Sequence, residues 1–350
     1  MLIDKYLTFA IKNNASDLHL IPQYYPAIRI NQKLNQIKVF DILNEKEVED
    51  ITFSFINSSQ KEILLTNKQL DFGYQYENYR LRINAYYARG NLCLAIRILN
   101  SEIKTIEQLN LPPSFYEFTK YTQGLILITG PTGEGKSTTL AALINHINKT
   151  QEKHIVTLED PIEYLYPKGC SIVSQRELYQ DTYSWKQALR AVLREDPDVV
   201  LVGEMRDYES ISLVLTIAET GHLVFSTLHT STAAETISRI IDVFPSDQQG
   251  QIKSQLSSVL IAVIAQRLIP TINKNLFPAL EILYNTSAVS EIIRSGRFEQ
   301  LTNVLLTNER DGMIIFEKYL IDLINKGYIT NETAFKHSFR PKELKKLIGE

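Results

Sequence analysis

The period of apolar and polar positions changes along the chain. Leu70–Tyr76 and Tyr79–Tyr87 alternate, are rich in Tyr, Phe and Ile, and are joined through Glu77-Asn78. That pattern predicts a β-hairpin. Leu92–Leu99, mostly apolar, predicts a third strand, and Asn44 with Glu47 stands at capping-box spacing before a helical stretch to about Ile56. Residues 1–99 thus form a small α/β domain. Residues 100–113 form a linker that ends in Pro112-Pro113, where neither helix nor central strand is tolerated. Past it, short apolar runs at Leu125–Thr129, Ile155–Leu158, Val199–Val202 and Leu223–Ser226 alternate with helical segments. Runs of this kind suit strands buried on both faces of a parallel sheet. Between them Trp185, Ala188, Leu189, Val192 and Leu193 share one helical face. From about Thr286 the chain reads as helical, which completes a second domain over 114–350.

Composition adds little beyond an ordinary globular protein, with 44% hydrophobic and 22% charged residues among 350. Lys and Arg number 37 against 40 Asp and Glu, a formal net charge of -3. That balance argues against a nucleic-acid binder, whose affinity comes from a basic surface. Cys93 and Cys170, far apart and outside any CxxC pair, read as buried apolar thiols in a reducing cytoplasm. The longest apolar run of the C-terminal half, Val259–Ala265, is far short of the roughly 20 residues that cross a bilayer. Membrane association is therefore expected only through a partner.

One motif carries chemistry by itself. Gly130, Pro131, Thr132, Gly133, Glu134, Gly135, Lys136 and Ser137, followed by Thr138, match GxxxxGK[ST] between the apolar run Gly124–Thr129 and the helical pattern Ser137–Asn148. A strand, a glycine loop and a helix N-terminus make an anion site from backbone N–H groups and the helix dipole. Lys136 is placed to reach the β and γ phosphates of ATP and the Ser137 hydroxyl to ligate Mg²⁺. Glu134 is a carboxylate in a phosphate-wrapping loop. At about 4 Å that like-charge contact costs about 4 kcal/mol at an effective dielectric near 20 and about 1 kcal/mol in water. Its side chain is therefore expected to point into solvent, where it either weakens nucleotide affinity modestly, pairs with a cation on a neighbouring subunit, or is a tolerated variable position.

Further segments bring a family into view. Leu193-Arg194-Glu195-Asp196-Pro197-Asp198 through Gly203-Glu204-Met205-Arg206-Asp207 resembles the signature of secretion and pilus ATPases. Leu158-Glu159-Asp160-Pro161-Ile162-Glu163 resembles their Asp box, and Glu219-Thr220-Gly221-His222 through Thr227-Leu228-His229-Thr230 their His box. Ala15–Leu20, Arg239–Pro245 and Gln266–Ile269 are similar to PilT-type retraction ATPases, so the resemblance runs over nearly the whole chain. It implies an α/β protein with a RecA-like P-loop ATPase domain preceded by a smaller PAS-like domain. It also implies a cytoplasmic homohexamer peripheral to the inner membrane, acting on a pilus platform protein and sharing that role with a paralogous ATPase. Nucleotide would lie between the two domains.

The same resemblance suggests roles. Glu204, after the buried run Val199–Val202, is the expected Walker B acid holding Mg²⁺ through water, and Glu163 the residue that orients the attacking water. Sequence leaves open which of the two is the base. Asp198 lies at the other end of the strand, away from the edge where ligands gather. His222 and His229 flank a strand; His229, at its carboxyl end, is the γ-phosphate sensor candidate, and His222 is a structural hydrogen bonder or a second site residue. Arg80, Arg82 and Asn84 share one strand face, which by itself is a solvated face, while Arg97 interrupts the run Leu92–Leu99. Family arginines in such strands reach nucleotide, so Arg80, Arg82 and Arg97 are the residues to which the resemblance extends that role, Arg82 and Arg97 being the site candidates. A zinc site lacks partners at ligand spacing.

The leading expectation is a motor that powers pilus retraction. A pilus-assembly or type II secretion ATPase, often with a tetracysteine insert absent here, and an accessory retraction ATPase are the alternatives, with a RecA-like nucleic-acid motor the rival of another class. One departure stands out. Where PilT proteins carry an AIRNLIRE-like helix, this chain reads Ala288-Val-Ser-Glu-Ile-Ile-Arg294-Ser, keeping Ile292, Ile293 and Arg294.

Overall fold

The computed structural model describes residues 2–30, 33–77, 79–100, 102–307 and 312–349, so Asn78 of the expected hairpin turn lies outside the described residues. The chain divides into two units. Unit 1 holds Met1–Glu102 together with two later segments, Glu159–Leu165 and Arg176–Ser184; unit 2 holds the rest.

In unit 1 the elements are α1 (Asp4–Lys12), β1 (Asp17–Leu20), β2 (Ala27–Ile30), β3 (Lys33–Gln36), α2 (Glu45–Phe55), α3 (Ser58–Asn67), β4 (Gln69–Tyr76), β5 (Tyr79–Ala88) and β6 (Asn91–Asn100). The strands form one sheet in the order β3-β2-β1-β6-β5-β4. The hairpin is β4–β5, with Tyr76 opposite Tyr79. The Asn44 side chain accepts from the Glu47 N–H at 2.8 Å and so caps α2. Glu47 does not complete the box; its carboxylate takes the Tyr6 hydroxyl at 2.7 Å and Lys5 at 3.2 Å. The core joins one sheet face to the helices through Leu18, Leu81, Ile83 and Ile96 against Leu7, Val48, Ile51 and Leu64.

Unit 2, with the last residues of β8 and β9 counted in unit 1, has α4 (Ser114–Phe118), β7 (Gly124–Thr129), α5 (Lys136–Thr150), β8 (His154–Glu159), β9 (Ile172–Glu177), α6 (Trp185–Val192), β10 (Val199–Val202), α7 (Tyr208–Glu219) and β11 (Leu223–Leu228). It continues with α8 (Ala233–Asp242), α9 (Gln249–Val259), β12 (Leu260–Pro270), β13 (Leu276–Tyr284), α10 (Ser287–Ser295), α11 (Leu301–Thr307), α12 (Phe316–Asn325), α13 (Asn331–His337) and α14 (Pro341–Ile348). The sheet order is β13-β12-β7-β11-β10-β8-β9. β8, β10, β11, β7 and β12 run parallel, which brings their carboxyl ends to one edge, and β13 returns antiparallel to β12. β7 and β11 are buried at every position, as continuous apolar runs require.

Some expectations are corrected. Leu193 is exposed because α6 ends at Val192. Cys170 is exposed as well, since it lies in the loop before β9, while Cys93 is buried. Ile106 and Leu111, within the expected linker, are buried against Phe115 and Phe118 in the core of unit 2. Most of the run Val259–Ala265 is the start of β12, which lies between β7 and β13 in the sheet. Ile292 and Ile293 of α10 are core residues, which accounts for apolar side chains at these two positions. No helix among the described residues is long and apolar enough to cross a membrane.

Candidate active site

The phosphate loop joins β7 to α5. Gly130 (φ 146°) and Gly135 (φ 78°) hold backbone conformations that other residues rarely adopt. A Cβ on Gly130 would also lie 2.4 Å from the Gln266 carbonyl oxygen. β12 therefore presses against the loop, and only glycine admits the contact. Gln266 Nε2 donates to the Glu134 carbonyl at 2.7 Å, and Thr139 donates to Gln266 Oε1 at 2.8 Å. A polar residue this deeply buried would be costly unless it were saturated; here its amide braces the loop and the first turn of α5.

Glu134 departs from expectation. Its carboxylate accepts the backbone N–H of Leu268 in β12, so it neither extends into solvent nor needs a neighbouring subunit's cation. The pairing draws the negative charge back towards β12 and adds a second tie between strand and loop. Glu134→Ala is expected to weaken ADP binding about fivefold, on the order of 1 kcal/mol, by loosening the loop. Equilibrium titration with ADP checks this, and unchanged affinity would assign the carboxylate no role.

Lys136 is buried at the first position of α5, and its ammonium donates to the carbonyls of Gly130 (2.6 Å) and Pro131 (2.9 Å). At 3.5 Å lies Nδ1 of His229, just past the carboxyl end of β11. His229 Nε2 contacts Glu204 Oε2 at 2.8 Å. A carboxylate only accepts, so Nε2 carries the proton and Nδ1 faces the ammonium with a lone pair. Glu204 also pairs with Arg206. Burial would raise its pKa, but the bonds from His229 and Arg206 outweigh it and hold the carboxyl below the usual range. Lys136, His229 and Glu204 thus form a connected line from the loop to the end of β10.

Other candidates lie elsewhere. The Asp198 carboxylate sits at the amino end of β10, bound to Lys153 at 3.0 Å and the His154 N–H at 2.9 Å. His222 Nδ1 is 2.9 Å from the Ile217 carbonyl and 3.1 Å from the Thr220 hydroxyl, a structural tie between α7 and β11. Glu163 belongs to unit 1, as does Arg82. Arg82 pairs with Asp71 at 2.6 Å, and Asp71, opposed by burial and assisted by Glu163 and Asp160, raises its pKa. Arg97 is ion-paired with Asp17 at 3.1 Å but stays largely exposed. Arg80 is not on a solvated face: it is buried, bound to Glu177 at 2.7 Å and to the Ile162 carbonyl at 2.8 Å. Among the described residues no group of His, Cys, Asp and Glu could hold a metal by itself.

A cavity of about 170 Å³ opens beside the loop, lined by Gly135, Thr138 and Thr139 on one side and by Gln108, Leu109 and Asn110 on the other. In the sequence the latter residues show only a connection, and Gln266 shows only as part of the family-like segment Gln266–Ile269; a brace made across 132 residues has no local signal.

The chain matches the family described as Type II/IV secretion system protein over residues 1–342. It belongs to that family. It is 40% identical to the type IV pilus retraction ATPase PilT of Pseudomonas aeruginosa over 95% of this chain and 97% of that protein. A twitching motility protein of Neisseria gonorrhoeae is 43% identical over 88% of this chain and 83% of its own length. The crystal structure of the pilus retraction motor PilT with bound ADP superposes with a TM-score of 0.90 at 41% identity, covering 99% of both chains. Within the family the chain is thus of the PilT type: an ATPase with an N-terminal domain and a RecA-like domain that carries the P-loop.

Proposed function

We propose that the chain is the motor subunit of a cytoplasmic homohexamer that retracts type IV pili by hydrolysing ATP against an inner-membrane platform protein. The observation that carries the reading is the line Lys136–His229–Glu204, which ties the phosphate loop to the acid that follows β10. The domain limits 1–99 and 114–350 are part of the proposal, with 159–165 and 176–184 grouped with the first domain and Ile106 and Leu111 of the segment 100–113 in the core of the second. The triphosphate lies on the N–H groups of residues 130–138, with Lys136 on its β and γ groups and the base in the cavity beside Gly135.

Ser137 and Glu204 fit Mg²⁺. They supply a hydroxyl at the start of α5 and a carboxylate kept ionised by His229 and Arg206, and Mg²⁺ takes few protein ligands and keeps its waters. Once bound, the ion neutralises charge on the phosphates. His229, already holding Glu204 and facing Lys136, registers the γ-phosphate. Glu163 orients the attacking water. Arg82 and Arg97 supply countercharge by exchanging Asp71 and Asp17 for phosphate.

Two substitutions separate the acids. Glu163→Gln is expected to lower kcat by about 10²–10⁴ with ADP affinity retained. Glu204→Gln should raise the Mg²⁺ concentration needed for half-maximal turnover. The reverse pattern would exchange the roles. For the cellular role, a deletion strain should keep surface pili that no longer retract; loss of surface pili would instead indicate an assembly motor.

A further inference from the structure

The loop that carries His229 is held from its far side by the C-terminal helices. Ala233, the first residue of α8, lies four positions after His229, and its backbone N–H donates to Glu281 Oε1 of β13 at 3.0 Å. This N–H is one of those that a helix leaves unpaired at its start, and a carboxylate there also meets the positive end of the helix dipole. The other Glu281 oxygen takes Arg340 Nη2 at 2.7 Å, and Arg340 Nη1 reaches Glu317 Oε2 of α12 at 2.8 Å. Glu317 Oε1 accepts the Arg340 N–H at 2.8 Å and the Ser338 hydroxyl at 3.1 Å. Both glutamates are buried, so one guanidinium serves two carboxylates away from water.

The start of α8 is in turn joined to the phosphate loop. Thr236 Oγ1 lies 2.7 Å from Thr230 Oγ1, next to His229, and 3.4 Å from Thr129 Oγ1, next to Gly130. All three threonines are buried. A shift of Ala233 is therefore carried to His229 through the short loop and to Gly130 through the hydroxyls.

We propose that Arg340, acting through Glu281, is a positioning residue for the His229 loop, so that the C-terminal helices set the geometry of the phosphate site. The inference rests on His229 acting at the γ-phosphate. Electrostatics agree with the geometry. Burial pushes the Glu281 carboxyl above the usual range, Arg340 opposes the rise, and Glu317 adds to it. Without Arg340 the two facing carboxylates are relieved only by taking up a proton. Protonated Glu281 still accepts from Ala233, so the variant's deficit is expected to depend on pH.

The test uses the full-length protein, with kcat and KM for MgATP measured across pH and active sites counted by ADP titration. Arg340→Met should lower kcat per ADP-binding site about ten- to a hundredfold, a larger effect than its weakening of ADP binding. The deficit should narrow from about pH 8 to about pH 6, as a proton replaces the guanidinium. Arg340→Met/Glu281→Gln, which keeps an oxygen to accept from Ala233 but cannot titrate, should lose most of that pH dependence, and Arg340→Lys should restore part of kcat. If Arg340→Met does not fold, Arg340→Lys carries the test, with the same directions and smaller sizes. A kcat per site that matches the wild type throughout, or a deficit independent of pH, would overturn the proposal. His229→Ala separates the premise: if it retains kcat, the reading of His229 fails, whereas if it loses kcat while Arg340→Met does not, the inference about Arg340 fails.

Discussion

ATP turnover by Lys136→Ala should fall by about 10²–10³-fold, the size of effect seen when a preorganised donor is removed from developing charge. Lys136 is the only cation in the loop 130–137. Its ammonium is buried against Gly130, Pro131 and His229, where water screens it poorly and its field on a phosphate is large. The substitution also removes the partner of His229 Nδ1 and so frees the ring that holds Glu204. Binding and turnover should both suffer, turnover more, because charge on the γ-phosphate is greatest during transfer. The fold should survive, since the loop joins β7 and α5 at their ends and the core on either side of β7 does not use the ammonium. Steady-state ATPase assays and thermal denaturation on the same preparation decide it. Turnover within tenfold of the wild type would remove Lys136 from the chemistry.

The legible parts of the chain were those whose period survives burial. β7, β8, β10 and β11 are apolar at nearly every step because helices cover both faces, and such runs stand out against polar loops. The phosphate loop was legible because its glycines answer local backbone demands. β12 was harder to see. Its first half is apolar, but Gln266 and Arg267 interrupt the run, and they do so for tertiary reasons: Gln266 braces the loop and Arg267 lies over the Phe339 ring. Arg80 misled for a related reason. Alternation with Leu81 and Ile83 put it on a polar face, yet its partner Glu177 is 97 residues away. Glu281 and Arg340, 59 residues apart, are another such pair. A buried ion pair leaves no periodic trace, because each partner reads singly as an ordinary surface charge. The same limit hid the grouping of Glu159–Leu165 with unit 1, where Ile162 bonds to Arg80 and Glu177.

The Arg80 contact yields the largest expected loss of stability. Glu177 is fully buried and accepts from Arg80 Nη2 at 2.7 Å, from the Gly73 N–H at 2.8 Å and from the Ile162 N–H at 3.1 Å, while Arg80 Nε donates to the Ile162 carbonyl at 2.8 Å. The pair thus holds both backbone groups of the residue preceding Glu163. It also lies directly over Gly73, where a Cβ would stand 2.1 Å from Arg80 Nη2 and 2.7 Å from Glu177 Oε2, so β4 needs glycine for space at that point. Arg80→Ala leaves a buried carboxylate without its cation and should cost about 3–5 kcal/mol. The pH dependence has a definite sign. Burial raises the folded pKa of Glu177 above its unfolded value even with Gly73, Arg80 and Ile162 opposing. Between those two values the native state binds more protons than the unfolded chain, so stability falls as pH rises through that window. Removing Arg80 deletes one of the opposing contributions and extends the window upward. The loss of Tm in Arg80→Ala should therefore be larger at about pH 8 than at about pH 5.5, and Arg80→Ala/Glu177→Gln should recover part of it at the higher pH. A deficit that is equal at both pH values, or that the second substitution deepens, would mean that Glu177 is not the charge Arg80 compensates.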